Sequence, residues 1–152
     1  MAGYSGTPLP QKLGIKPGAR VGTWKAPPDF ATTLGDLPEG ALLEDADGRR
    51  DQRVFDVLVA FVAMASDLPA VFKRLAPRLD PAGGLWIGWP RKKPKGQQRI
   101  ETDVTEGIVR EVGLGTGLVD NKVCAIDDTW SGLRFVVRLA DRPSASGSRA
   151  KR

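Results

Sequence analysis

One stretch constrains the fold of this chain more than any other: Val54 to Ala63, V-F-D-V-L-V-A-F-V-A, apolar throughout except at Asp56. A strand wet on one side alternates apolar and polar residues. A run that stays apolar at successive positions, at strand length and rich in Val and Phe, is a strand covered on both faces. Such strands lie inside parallel sheets flanked by helices, so the run predicts the centre of an α/β domain. Its uninterrupted apolar part, Val57 to Ala65, falls far short of the roughly 18 residues that a membrane span needs.

The flanking sequence supplies the other layers. Val21 to Ala26 reads as a first strand, ended by Pro27, Pro28 and Asp29, with Asp29 placed to cap a short helix through Leu34. Ala41 to Glu44 is a second strand, followed by the polar turn D-A-D-G-R-R. After the central run, Ser66 or Asp67 caps a helix with Pro69 in its first turn. Val71, Phe72, Leu75 and Leu79 share one face of that helix, and Pro77 kinks or ends it. D-P-A-G-G then reads as a turn into a buried strand, Leu85 to Trp89. Thr102 or Asp103 with Glu106 resembles a capping box for a helix striped by Val104, Ile108, Val109 and Val112 and ending at Gly113. Leu118 to Asp127 and Leu133 to Leu139, joined by D-D-T-W-S-G, form a closing hairpin. Leu133, Phe135, Val137 and Leu139 are expected on its buried face. The architecture predicted is a single three-layer, Rossmann-like α/β domain over residues 20–140, a mostly parallel sheet with a C-terminal antiparallel hairpin. Residues 1–19 form an N-terminal docking segment through Leu9 to Ile15, and residues 141–152 a disordered basic tail.

Composition then removes whole classes of chemistry. With no histidine and one cysteine, Cys124, in 152 residues, the chain has no Ser-His-Asp or Cys-His machinery, no imidazole base and no His-ligated metal. It also has no intrachain disulfide and no thiolate zinc cluster, which fits a reducing cytoplasm. Cys124, inside an apolar strand, reads as a small buried hydrophobe. The start M-A-G-Y-S-G-T-P-L-P lacks the charged and apolar regions of a signal peptide, so the expected location is cytoplasmic with no membrane partner. Arg91, Lys92, Lys93, Lys95 and Arg99 carry five positive charges within nine residues, and the tail from Asp141 nets three more. Taking both from the total of +5 leaves the rest of the chain at −3. The basic loop is a candidate nucleic-acid contact. A solvated loop is the preferred reading, because the aromatics lie in strands and do not interleave with the basic residues.

The candidate ligand or partner site is the hairpin cluster Asp120, Asn121, Lys122, Asp127, Asp128, Trp130 and Arg134, more charge and aromatic surface than one hairpin needs for solubility. Asp127 and Asp128 could hold a hard cation, or pair with Lys122 and Arg134. Adjacent strand residues point to opposite faces, which weakens an acid–base pair. Trp130, in the turn, is the tryptophan expected to be exposed. Trp86 and Trp89 face opposite sides of their strand. Asp56 reads as a strand-end carboxylate accepting backbone hydrogen bonds. Gly113, Gly115 and Gly117 form a G-x-G-x-G that closes a helix and enters a strand, the reverse of a nucleotide loop.

Two segments carry a resemblance: G-Y-S-G-T-P-L-P-Q-K-L-G-I-K from Gly3, and G-L-V-D-N-K-V-C-A-I-D-D-T-W-S-G-L-R-F-V from Gly117. They resemble an uncharacterised bacterial family, a domain of unknown function, over roughly residues 2 to 139. A second resemblance is architectural: F-D-V-L-V-A-F-V, a helix, L-D-P-A-G-G-L-W-I-G-W-P, a helix and a hairpin are similar to the C-terminal half of class I S-adenosylmethionine-dependent methyltransferases. That resemblance implies a glycine-rich turn after the first strand and a carboxylate beyond the second, which Glu44 or Asp45 could supply. Here the turn is K-A-P-P-D-F, Lys25 to Phe30, with two prolines and no glycine. About 30 residues separate the first strand from the central run, so the cofactor half looks truncated. The function expected is a non-catalytic binding or regulatory module for a protein or small molecule, with no cofactor and no metal. The alternatives are an S-adenosylmethionine-dependent methyltransferase and a nucleic-acid-binding protein.

Overall fold

The computed structural model describes residues 7–46, 54–92 and 100–142. Among them, six strands form one sheet: β1 (Arg20–Trp24), β2 (Leu42–Asp45), β3 (Phe55–Phe61), β4 (Leu79–Pro90), β5 (Leu118–Ala125) and β6 (Trp130–Val137), in the order β2-β1-β3-β4-β6-β5. β1 pairs in parallel with β2 and β3, and β3 with β4. β6 is antiparallel to both β4 and β5, so it slots between them and β5 becomes the edge. The mostly parallel α/β sheet with an antiparallel C-terminal pair is therefore the architecture of the chain.

The central run earns its composition from both faces of the sheet. Val57, Val59 and Phe61 alternate toward one layer, against Leu13, Phe30, Leu34 and Trp86. Leu58, Ala60 and Val62 alternate toward the other, against Phe72, Leu75, Val109 and Phe135. Helices α1 (Leu9–Leu13) and α2 (Phe30–Leu34) cover the first face; α3 (Leu68–Leu75) and α4 (Glu106–Gly115) cover the second. Trp86 and Trp89 lie in opposite layers, as their three-residue spacing requires.

α1 has five residues, too few to persist alone. Gly14 ends it in the left-handed region, φ +84°, and the buried Trp86 Nε1 donates 3.0 Å to the Leu13 carbonyl. That bond pins the helix end to the middle of β4, with Leu13 and Ile15 buried beneath it.

Several boundaries differ from the sequence expectation, each for a local reason. D-P-A-G-G is not a turn but part of β4, whose register against β3 jumps from Phe55↔Leu79 to Val57↔Gly84. The extra residues bulge out: Asp80 Oδ1 accepts from Ala82 N at 2.8 Å, and Gly83 lies so close to the Asp56 carbonyl that a Cβ there would overlap it. Leu79 accordingly belongs to β4, and α3 stops at Leu75, where Pro77 closes a single 3-10 turn. α4 begins after Thr105, whose Oγ1 accepts from Ile108 N at 3.2 Å. Thr102 and Asp103 instead tie the chain to the residues beyond β3, through Ala63 O and Ala65 N. Val104 is buried ahead of the helix, which runs on to Gly115. Asp29 and Asp67 stand at N-cap positions without side-chain cap bonds. Leu139 is 78% exposed, because β6 ends at Val137. Among the described residues no helix is long and apolar enough to cross a membrane.

Candidate functional site

The chain leaves β1 outward to β2 and returns on the other side of β1 as β3, so the strand order reverses between β1 and β3. In open α/β sheets ligands bind outside the carboxyl ends of the strands at such a switch. Beside it lies a cleft of about 330 Å³. Pro27, Pro28 and Asp29 after β1 form one wall, Asp127, Thr129 and Trp130 of the β5–β6 turn another, and Ile100 a third. Phe61, the last residue of β3, backs the Trp130 wall: its ring meets Phe30 at 5.0 Å and 71°, and Trp130 at 5.0 Å and 89°, both edge-to-face.

Trp130 is thus a core residue at 9% exposure, contrary to the exposed turn position expected. The turn itself explains this. Asp127 Oδ1 accepts from Thr129 N and Trp130 N, both at 2.8 Å, while Ile126 N and Asp127 N donate to Trp130 O. This Asx-type closure swings the indole inward over Phe61. It also engages the Asp127 carboxylate, with Asp128 next to it in the turn.

The chain leading from β1 into the other wall carries strain. Lys25 has φ +59°, the one non-glycine in the left-handed region among the described residues. Its Nζ lies 5.4 Å over the Trp24 ring, and Trp24 Nε1 is buried without a hydrogen-bond partner. Pro27 and Pro28 follow with no N–H to present to the cleft.

The remaining residues of the expected hairpin cluster lie apart from this cleft. Asp120 accepts 2.9 Å from Arg110 Nε, and Arg110 Nη2 donates 2.7 Å to Glu106. The hydrogen bonds to Glu106 and then Asp120 raise the Arg110 pKa further. The β5–β6 register shifts between Asp120 and Lys122, which places Asn121 in a bulge where its Oδ1 accepts from Arg134 Nη1 at 3.4 Å. Lys122 Nζ donates 3.2 Å to the Lys12 carbonyl of α1. The pairing of Asp127 and Asp128 with Lys122 and Arg134 is therefore not formed; Lys122 and Arg134 serve the N-terminal segment and the bulge. Among the described residues no group of three or more His, Cys, Asp or Glu converges to hold a metal. Cys124 is half-buried; burial pushes its thiol pKa up, partly opposed by Lys12 and Lys122.

Asp56 is exposed and accepts 2.9 Å from the backbone N–H of Arg20 across the sheet, as a strand-end carboxylate should. Asp45 ends β2 beside Thr23 of β1, and Glu44 pairs with Arg20 at 3.3 Å. In the basic loop, Arg91 donates through N and Nη1 to the carbonyls of Thr129 and Asp127, and Lys92 is exposed. Lys93, Lys95 and Arg99 lie outside the described residues, as do the start of the G-Y-S-G-T-P segment and the tail from residue 143. The cleft walls Pro28, Ile100 and Thr129 were not singled out as site residues from sequence. The one signal for them is the order reversal between β1 and β3, which exists only once strand pairing is known.

No family model matches the chain, so the resemblance carried by Gly3 to Lys16 and Gly117 to Val136 is without a family assignment. No curated protein matches it either. Solved structures do. A SAM dependent methyltransferase from Aquifex aeolicus superposes with TM-score 0.60 at 12% identity, over 84% of this chain and 87% of that one. A Sulfolobus solfataricus protein assigned to the type 11 methyltransferases gives 0.61 at 13%, over 92% and 95%. The fibrillarin pre-rRNA processing protein of Methanococcus jannaschii gives 0.57 at 13%, over 88% and 70%. At these identities the likeness is one of fold: a Rossmann-like, methyltransferase-type α/β sheet.

Proposed function

We propose that the chain is a non-catalytic binding module built on a methyltransferase-like sheet, and that the Trp130-lined cleft at its carboxyl edge receives a small molecule or a peptide segment of a protein partner. The observation that carries this reading is the turn after β1. Pro27 and Pro28 stand where a cofactor-binding sheet of this kind would present backbone N–H groups, and each fixes φ near −65°. The acid in the cleft supports it too: Asp127 accepts two backbone N–H bonds and is held in the turn.

Isothermal calorimetry tests the exclusion directly. The expected result is no saturable binding of S-adenosylmethionine at a dissociation constant below about 50 micromolar, since losing two or three hydrogen bonds costs a factor of about a hundred. Tighter saturable binding overturns the non-catalytic reading. A thermal-shift screen of aromatic metabolites tests the cleft itself. Any compound that raises the melting temperature should lose its effect in Ile100→Trp, which fills the cleft; a shift that persists places the ligand elsewhere.

The second reading, an S-adenosylmethionine-dependent methyltransferase, is favoured by one observation besides the fold. Asp45 ends β2 next to β1, the position the resemblance assigns to the carboxylate that holds the cofactor. It requires that Asp45→Asn weaken cofactor binding; no binding to either protein removes it.

A further inference from the structure

A second cleft, of about 290 Å³, opens at the opposite edge of the sheet, where β1, β3 and β4 begin. Gly14, Lys16 and Gly18 of the loop between α1 and β1 form one side, Asp56 and Asp80 the other, and Arg134 of β6 reaches in between. The reach of Arg134 depends on a glycine. It pairs with Trp86 in the β4–β6 ladder, and its guanidinium lies back over Gly84, where a Cβ would overlap Nε, Cζ and Nη2. A Cβ on Gly14 would come within 4.0 Å of the same group.

The electrostatics of this guanidinium are incomplete. It is half-buried, and its hydrogen bond to Asn121 is long, at 3.4 Å. Among the described residues no carboxylate forms an ion pair with it. Burial, and then the like charge of Arg142, push its pKa below the usual guanidinium range. A cation drawn out of water needs a counter-charge with matching hydrogen bonds, and a planar guanidinium takes a carboxylate or phosphate bidentately. Asp56 on the facing wall decides between these. Asp56 accepts from Arg20 N and keeps its carboxylate at the cleft, which disfavours a dianionic phosphate and favours an ammonium. The volume lies just under the usual range of ligand sites, about 300 to 1,000 Å³, which suits a ligand of only a few heavy atoms.

We propose that this cleft binds a free α-amino acid, its carboxylate held by Arg134 with Lys16 and its ammonium facing Asp56. The site is independent of the carboxyl-edge cleft.

The test is calorimetric titration of the full chain with a panel of free L-amino acids, with acetate, methylammonium and inorganic phosphate as partial ligands. At least one amino acid should bind saturably, and at least about tenfold more tightly than any of the three partial ligands. Arg134→Gln should weaken that binding about tenfold or more, the usual worth of a bidentate charge-assisted pair. Gly84→Ala should do the same, because it keeps the charge and displaces the guanidinium. Asp56→Asn, an exposed change that leaves folding intact, should weaken the amino acid and leave acetate unchanged. Failure of every amino acid to bind, phosphate binding as well as the best of them, or wild-type affinity in Asp56→Asn and Gly84→Ala each overturns the proposal.

Discussion

A turn residue can be the keystone of a core. Trp130 stands where the β5–β6 turn closes, yet its ring is the third member of the Phe30–Phe61–Trp130 edge-to-face set. Trp130→Ala should therefore cost about 3 kcal/mol, the range for removing a buried aromatic, read as a lower urea midpoint at unchanged slope. Asp127→Ala leaves the N–H groups of Thr129 and Trp130 without their acceptor and should cost about 1 to 2 kcal/mol. Asp127→Asn keeps the Oδ1 acceptor and should stay within about 0.5 kcal/mol of wild type. If all three melt alike, the turn does not hold the indole. Cys124 gives a pH prediction with a definite sign. Burial disfavours its thiolate more than Lys12 and Lys122 favour it, so its folded pKa is raised. Alkylation by iodoacetamide should rise with pH through a midpoint above the roughly 8.5 of a free thiol; a midpoint below that would mean the two lysines dominate.

Between elements, small residues set how closely the layers approach. Gly113 on α4 faces Phe135 of β6, where a Cβ would overlap the ring, and Phe135 meets Phe72 of α3 edge-on at 5.1 Å. Gly113→Ala should push α4 off the sheet and cost about 1 to 3 kcal/mol, although alanine is the better helix former. A rise in melting temperature would mean that propensity wins over packing. Thr105→Ala removes the one side-chain cap of α4 and should cost about 1 kcal/mol. Element types were legible in the sequence because burial on both faces writes itself as apolar runs and helical stripes, as in Val54 to Ala63. The bulge at Asp80 to Gly84 was not, since D-P-A-G-G has the composition of a turn and only pairing with β3 makes it strand. The cap at Thr105 was hidden by Thr102 and Asp103, which have the right chemistry but bond to Ala63 and Ala65 instead. The candidate site was legible in part for the same reason. Residue types named the hairpin cluster, but the direction of each side chain depends on the bulge at Asn121 and the closure at Asp127, neither of which leaves a periodic signal.

For the whole molecule, what the net charge of +5 means depends on where it sits. Five of the positive charges lie in Arg91 to Arg99, which links the carboxyl end of β4 to the approach to α4, and the tail from Asp141 adds three net, leaving an acidic remainder. Arg91 already donates to the β5–β6 turn, so it is fixed at the carboxyl edge of the sheet. If this loop is a nucleic-acid contact, neutralising five phosphates makes log K fall against log salt with a slope of about −4 to −5. Removing Lys92 and Lys93 together should lower that slope by about 2, equally for duplex and single strands, because point charges on a loop without aromatics carry no base readout. The expected outcome is the other one. The acidic remainder of the chain should repel phosphate, so that a filter-binding titration at about 50 mM salt retains neither DNA nor RNA. Retention with the full slope would instead assign the loop to nucleic acid, and a slope smaller by about 2 in the Lys92→Ala, Lys93→Ala double variant would fix the contact to this end of the sheet.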